Sequence, residues 1–318
     1  MRQVPYDAKK EFVNDLKYHG LTGGKSSMWK SLLNSIITYD NYALDEERKI
    51  MLQDLTWSFF TNIRSDGSKF KTNAYMIPGT EPQSESEQWK SSRWFRVTAS
   101  TAKQAHNLGG LLVDTTTHID STYRKLYNYL AYHVWNLHPF STSDTAYGID
   151  NEDRARTDYH DVMLNSSPGI KVLKTGFWVN KLWPELGCSP DGIVYDPNES
   201  NKYGLVEIKC PKLFKKIVPA DVFKSLEQKV ITNKDLYTAC FSRPTSNDIK
   251  LELKTTHGYY FQIQFQLAIT GLNWCDFVLW SNIGKPNIER IYRDDQLIVT
   301  MIGNITNFVE KCNRTRNF

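Results

Sequence analysis

The segment from Gly187 to Pro211 sets the tightest limit on what this chain can fold into. Ile193-Val194-Tyr195 and Leu205-Val206-Glu207-Ile208 are short, mostly apolar and β-branched runs, and Asp196-Pro197-Asn198-Glu199-Ser200-Asn201 between them is built of turn formers. That alternation predicts a β-hairpin. Asp191 enters one strand and Glu207 lies on the other. Side chains at i and i+2 share a strand face, so Glu207 and Lys209 project together while Ile208 turns to the opposite, apolar side.

Two carboxylates and an ammonium then share one surface. Crowded carboxylates repel, and two carboxylate oxygens with a main-chain carbonyl suit a hard divalent cation such as Mg²⁺ or Mn²⁺. A lysine beside such an ion can orient or deprotonate an attacking water, as metal-assisted phosphodiester hydrolysis requires. Spacing alone leaves an alternative, because acidic and basic residues alternate on many solvated strands. The longer pattern is more specific: Ser189-Pro190-Asp191-Gly192, fifteen residues between Asp191 and Glu207, then Glu207-Ile208-Lys209-Cys210-Pro211. It resembles the active-site hairpin of the PD-(D/E)xK nucleases, and within them most resembles the lambda-exonuclease-like branch that includes the YqaJ viral recombinase family. The resemblance implies an α/β fold with a restriction-endonuclease-like core, a mixed central sheet flanked by helices and the metal hairpin at the sheet's edge. It also implies that Asp191, Glu207 and the Ile208 carbonyl bind the cation, while Lys209 activates or positions the water.

A second element precedes the hairpin. In Trp89-Lys90-Ser91-Ser92-Arg93-Trp94-Phe95-Arg96-Val97-Thr98-Ala99-Ser100, the arginines are three apart and Thr98 and Ser100 two apart. A change from helix to strand there lets guanidinium and hydroxyl groups converge on a phosphate; the bland alternative is an amphipathic helix edge with solvated arginines. The run resembles the W-x-x-x-R-x-x-R-x-T-A-S element of YqaJ-type proteins. By that resemblance Arg93, Arg96, Ser100, Ser189 and Gln262 hold a terminal DNA phosphate, with Gln264 a further phosphate-binding candidate or part of a polar seam. Glu152 matches the helical carboxylate of a G-x-x-x-E pattern that completes the metal site. Asp150 and Asp153 compete for that role, and an i,i+4 pair of Glu152 with Arg156 on a solvated helix face is the alternative.

The remaining chain fits around these elements. Helical patterning runs through residues 1–80, read as an N-terminal helical addition, and the Pro-, Gly- and Ser-rich stretch from Ile77 to Gln88 reads as a linker before a nuclease domain over 81–318. Lys17 to Ser27 lacks the spacing of a phosphate-binding loop. Helices are expected over Ser121 to His138, Thr145 to Asn165, Pro219 to Val230 and Asp295 to Cys312. Thr175 to Val179 is expected as the first strand beside the hairpin, and Asp276 to Trp280 as a buried strand. Arg243 to Asp248 reads as a turn. Gln262 and Gln266 share a helical face ahead of a stop at Gly271, although glutamines two apart also fit a strand; resemblance to a Q-x-Q helix decides for helix.

Composition constrains function only mildly. A net charge of +4 permits a nucleic-acid partner without demanding one. Five scattered cysteines show no CxxC or Cys/His ligand spacing, which argues against a disulfide framework or zinc site. No stretch approaches the roughly 20 apolar residues of a membrane span, so a soluble intracellular protein, nuclear or cytoplasmic, is expected. The resemblance implies a 5′-to-3′ exonuclease on double-stranded DNA ends in recombination or repair, with a single-strand annealing protein as a candidate partner and oligomerisation left open. An endonuclease or RNA-acting nuclease on the same scaffold, and a non-catalytic DNA-binding module, are the alternatives.

Overall fold

The computed structural model describes residues 74–93, 96–113, 143–232, 240–242 and 251–314, with a few isolated positions between them. The N-terminal helical patterning, the turn at 243–248 and nearly all of the helix expected over 121–138 lie outside the described residues. The expected mixed α/β arrangement is present, divided between two principal sheets rather than gathered into one.

The larger sheet carries the hairpin. Strands β6 (Gly192–Tyr195) and β7 (Tyr203–Lys209) pair antiparallel, with Gly192 opposite Val206 and Tyr195 opposite Tyr203. On its far side β7 runs parallel to β10 (Trp274–Leu279), which pairs antiparallel with β11 (Asn287–Tyr292). The sheet is closed on the other side by β3 (Lys171–Leu173) against β6. The order β11-β10-β7-β6-β3 therefore puts Glu207 on the middle strand, not at an edge. This corrects the expected placement: the parallel partner β10 arrives from seventy residues downstream, beyond what a local hairpin pattern specifies.

A four-stranded sheet holds β1 (Ala74–Met76), β4 (Trp178–Asn180), β5 (Trp183–Cys188) and β2 (Val97–Thr98), in the order β1-β4-β5-β2. The strand expected beside the hairpin at 175–179 is displaced into this second sheet, and β3 takes its place. Phe177 and Val179 are core, joined by Ile77, so the polar stretch after Met76 begins packed on the domain. Thr80 is fully buried, and its hydroxyl both donates to the Ile77 carbonyl and accepts from the Phe177 N–H.

Helices cover both faces of the five-stranded sheet. On one side α3 (Ser143–Leu164) brings Ala155 and Tyr159 against Val194, Val206, Ile208, Trp274 and Val278. On the other, α5 (Gly258–Thr270) packs Ile263 and Leu267 against Leu205, Phe277 and Leu279. His257 caps α5 by accepting the Tyr259 N–H, and Gly271 ends it at φ 75°, a left-handed conformation that favours glycine. The opposite flank of α5 sends Phe265 and Ile269 into a third cluster with α2 (Ala102–Val113) and α6 (Asp295–Arg314). Those two helices meet so closely at Gly109 that a Cβ there would lie 1.8 Å from the Asn304 carbonyl oxygen. The helix expected from Pro219 to Val230 is shorter, a 3₁₀ turn over Pro219–Asp221 followed by α4 (Val222–Glu227). The short ribbon β8 (Phe241–Ser242) with β9 (Glu252–Leu253) completes the described strands. Among the described residues no helix is long and apolar enough to cross a membrane.

Candidate active site

Sheet geometry assembles the hairpin residues as the sequence spacing requires. Asp191 sits at the start of β6, anchored by its N–H to the Val206 carbonyl at 3.1 Å, and its Oδ2 accepts the Ile208 N–H at 2.6 Å. Glu207, 1% exposed, lies one residue away on the central strand. Lys209 follows on the same face, its Nζ 2.5 Å from Glu207 Oε1 and 4.9 Å from the centre of the Tyr259 ring.

The carboxylates are crowded. Burial first, then the charges of Glu207 and Glu152, push the Asp191 carboxyl well above its ordinary value. Glu152 is raised by burial too, against the pull of Arg156. Desolvation works against the Lys209 ammonium, but Glu207 and Asp191 outweigh it and hold its pKa above the usual lysine value. Lys209 is therefore a cation throughout the neutral range.

Each acid is held by donors. Glu207 Oε1 accepts Lys209 and Gln262 Nε2, the latter at 2.6 Å, and Oε2 accepts Gln266 Nε2 at 2.7 Å. Arg156 joins the two sides of the site: Nη2 is 2.5 Å from Glu152 Oε1, Nη1 is 2.5 Å from Asp153 Oδ1, and Nε donates to the Asp191 carbonyl at 2.9 Å. The Glu152–Arg156 pair anticipated from the i,i+4 spacing is present, but it is partly buried at the site rather than on a solvated face. Asp153 is largely exposed and Asp150 exposed; of the three acids it is Glu152 whose charge acts on Asp191 and which feels that of Glu207. Among the described residues no three acidic, histidine or cysteine side chains are grouped to hold a metal ion by themselves. Asp191 and Glu207 are buried carboxylates, oxygen donors of the kind a hard divalent cation takes.

Arg93 ends helix α1 (Glu87–Arg93), Arg96 stands just before strand β2 and Ser100 lies in the 3₁₀ turn Ala99–Thr101 after it, so the segment passes from helix to strand. Arg93 lies 4.3 Å over the Trp89 ring, and burial lowers its pKa to about 10, still a cation. Trp89 Nε1 donates to Ser189 Oγ at 2.7 Å, tying this helix to the hairpin. Ser100 is exposed, its hydroxyl 3.3 Å from that of Thr98. Arg96 departs from the expectation: it is 2% exposed, turned inward, and its guanidinium donates to the carbonyls of Pro184 and Ser92. Gln264 departs as well. It is fully buried, with Nε2 on the Tyr292 carbonyl at 2.9 Å and Oε1 accepting the Asp294 N–H at 2.8 Å, and neither end faces the hairpin. Gln262 is placed on Glu207 rather than toward an open phosphate position.

Against this geometry, the family model for the YqaJ-like viral recombinase domain matches residues 88–273, more than half of the chain. The chain belongs to the YqaJ-like viral recombinase domain family. No curated protein matches it. Among solved structures it is similar to an alkaline exonuclease, LHK-Exo, from Laribacter hongkongensis, at 24% identity over 72% of this chain and 97% of that one, with a TM-score of 0.45. It is also similar to a phage-related exonuclease from Haemophilus somnus, at 13% identity over 69% of this chain and 96% of that one, TM-score 0.39. The shutoff and exonuclease protein of Kaposi's sarcoma-associated herpesvirus is similar at 13% identity over 73% of this chain and 70% of that one, TM-score 0.39.

In this YqaJ-like chain three residues of the site escaped the sequence reading. Trp89 was visible as part of the motif, but nothing in its spacing disclosed the contact with Ser189. Arg156 showed only its helical neighbour. Gln266 shares the i,i+4 helical face of Gln262, the one signal that linked it to the site.

Proposed function

We propose that this protein is a divalent-metal-dependent nuclease hydrolysing phosphodiester bonds, acting as a 5′-to-3′ exonuclease on double-stranded DNA ends in recombination or repair. The observation that carries the reading is the Asp191–Glu207–Lys209 constellation, in which burial and the neighbouring acids Glu207 and Glu152 raise the proton affinity of Asp191, beside a lysine bonded to Glu207. Site residues under such mutual strain are characteristic of places where chemistry is done. Membership of the YqaJ-like family supports it.

Asp191, Glu207 and the Ile208 carbonyl would hold Mg²⁺ or Mn²⁺, with Glu152 in support. Such an ion, when bound, supplies a Lewis acid for the phosphoryl oxygens and lowers the pKa of water. The other tasks fall to the chain. Lys209, whose Nζ lies 2.5 Å from Glu207 Oε1, activates or positions the attacking water and faces the developing negative charge. Arg93, exposed Ser100 and Ser189 are the groups best placed to engage a terminal phosphate, with Trp89 holding Arg93 and Ser189 in register. A held terminus favours cleavage from an end. Double-stranded DNA is the proposed partner, a single-strand annealing protein the proposed companion in recombination.

The test compares linear duplex with and without a 5′ phosphate and a covalently closed circle, in Mg²⁺ or Mn²⁺. Degradation of the 5′-phosphorylated linear duplex alone is expected, with Lys209→Ala lowering kcat by about 10²–10⁴ while DNA affinity is retained. Arg93→Ala and Ser100→Ala are expected to erase the preference for the 5′ phosphate. Cleavage of the closed circle would refute end dependence; binding without cleavage of any substrate would refute the nuclease.

A further inference from the structure

Gln264 and Gln266 are both fully buried in α5, two residues apart. Helical geometry turns side chains two apart by about 200°, so the pair leaves on opposite sides. Gln264 spends both ends of its amide on the main chain of Tyr292 and Asp294, fastening α5 to the connection between β11 and α6. That is what a structural buried glutamine does, because a polar group left unbonded at depth keeps its full desolvation penalty. Gln266 behaves differently. Its Nε2 donates to Glu207 Oε2 at 2.7 Å, while its Oε1 is buried with no hydrogen-bond partner. The amide is aimed by Glu207 and tolerates an unpaired oxygen to keep that aim.

The other donors to Glu207 crowd Oε1, where Lys209 and Gln262 both arrive. Among the described residues, Gln266 is the donor to Oε2. With 0% exposure it is closed off from solvent. We propose that Gln266 is a positioning residue, which fixes the rotation of the Glu207 carboxylate from the buried side of α5 and so presets it for a divalent cation. The inference rests on the reading of Glu207 as a metal ligand. Partners that orient a ligating carboxylate govern affinity for the metal, and their removal costs about 10–100-fold.

The full chain is titrated with Mn²⁺ by calorimetry without DNA, and thermal unfolding is followed separately in EDTA. Gln266→Met keeps the volume and removes the unpaired oxygen with the donor. It is expected to weaken Mn²⁺ binding about tenfold or more, and to lower kcat with KM for DNA unchanged. Gln264→Met is expected to lower the melting temperature in EDTA with no such change in Mn²⁺ affinity. Gln266→Asn, which keeps an amide but withdraws it by one methylene, gives the same readout should the methionine variant not fold. Mn²⁺ binding that responds to Glu207→Gln but not to either Gln266 variant would overturn the role of Gln266 alone. Mn²⁺ binding indifferent to Glu207→Gln would instead remove the metal reading on which the inference rests.

Discussion

Two clusters of buried charge lie on one sheet, one on its α3 face around Arg290 and one around Glu207 on its α5 face, and the two treat their charges differently. Glu152 and Arg156 of α3 join the second cluster through Asp191. On the α3 face, Arg290 of β11 makes a bidentate bond to Asp276 of β10 at 2.8 Å and reaches Asp196 and Glu199 at 2.7 Å, with its guanidinium 3.8 Å over the Trp274 ring. Tyr159 adds a 2.5 Å bond to Asp276, and Ser167 one of 2.6 Å to Asp196. Burial acts against Asp196, yet the bonds from Ser167 and Arg290 hold its pKa below the ordinary value. Arg290 is likewise held above its ordinary value despite desolvation. On the α5 face the shifts run the other way, with Asp191 pushed up by burial and by its acidic neighbours. The first cluster is arranged to keep its charges; the second crowds its acids so that Asp191 is held toward its neutral form.

Three measurements break or sharpen that contrast, the largest effect first. Arg290→Met leaves Asp276 and Asp196 buried without their cation and is expected to cost about 3–5 kcal/mol in denaturant unfolding. Cleavage per folded molecule should survive, since none of the side chains named in one cluster is hydrogen-bonded into the other, although α3 supplies Glu152 and Arg156 to one and Tyr159 to the other. Activity lost from a fully folded Arg290→Met protein would show that the clusters are coupled.

Tyr159→Phe removes one hydrogen bond to a charged acceptor and is expected to lower stability by about 1.5–3 kcal/mol, measured in the same way. A loss well below that range would mean that Arg290 alone satisfies Asp276.

Asp191→Asn should have the smallest effect on stability, and the opposite sign. An acid whose folded pKa is raised binds its proton more tightly when folded, so its ionisation destabilises the protein as pH rises above the ordinary carboxylate range. The asparagine variant is therefore expected to melt higher than the parent in EDTA at pH 8, with the gain shrinking as pH falls below the raised pKa toward the ordinary carboxylate range. Asparagine Oδ1 can still accept the Ile208 N–H, so the difference reports charge rather than a lost anchor. A lower melting temperature at pH 8 would contradict the strained reading of the site.

The hairpin was legible because its information is local. Turn formers between two β-branched runs specify the reversal, and a period of two puts Glu207 and Lys209 on one face whatever surrounds them. Helix α3 was readable to within two residues at its start and one at its end, and Gly271 marked the stop of α5. The Arg290 cluster gave a fainter signal, a single aspartate at 276 in an apolar strand, which demands a partner without naming it. The partner lies fourteen residues away across a strand pair.

What the sequence by itself determined is therefore the set of local periods and the order of the motifs, enough for the α/β class and for the residues able to do chemistry. Only the tertiary structure decided which groups meet. Arg96 and Gln264 carry the same side-chain chemistry as Arg93 and Gln266, and packing turned the first pair inward onto main-chain groups, stacked Arg93 on Trp89 and set Gln266 on Glu207. The position of β7 at the sheet's centre came likewise from pairing with β10 far along the chain. Hydrogen bonding at depth is a long-range accounting, in which each buried donor takes whichever acceptor the fold delivers, and no spacing within one segment records the other side of that pair.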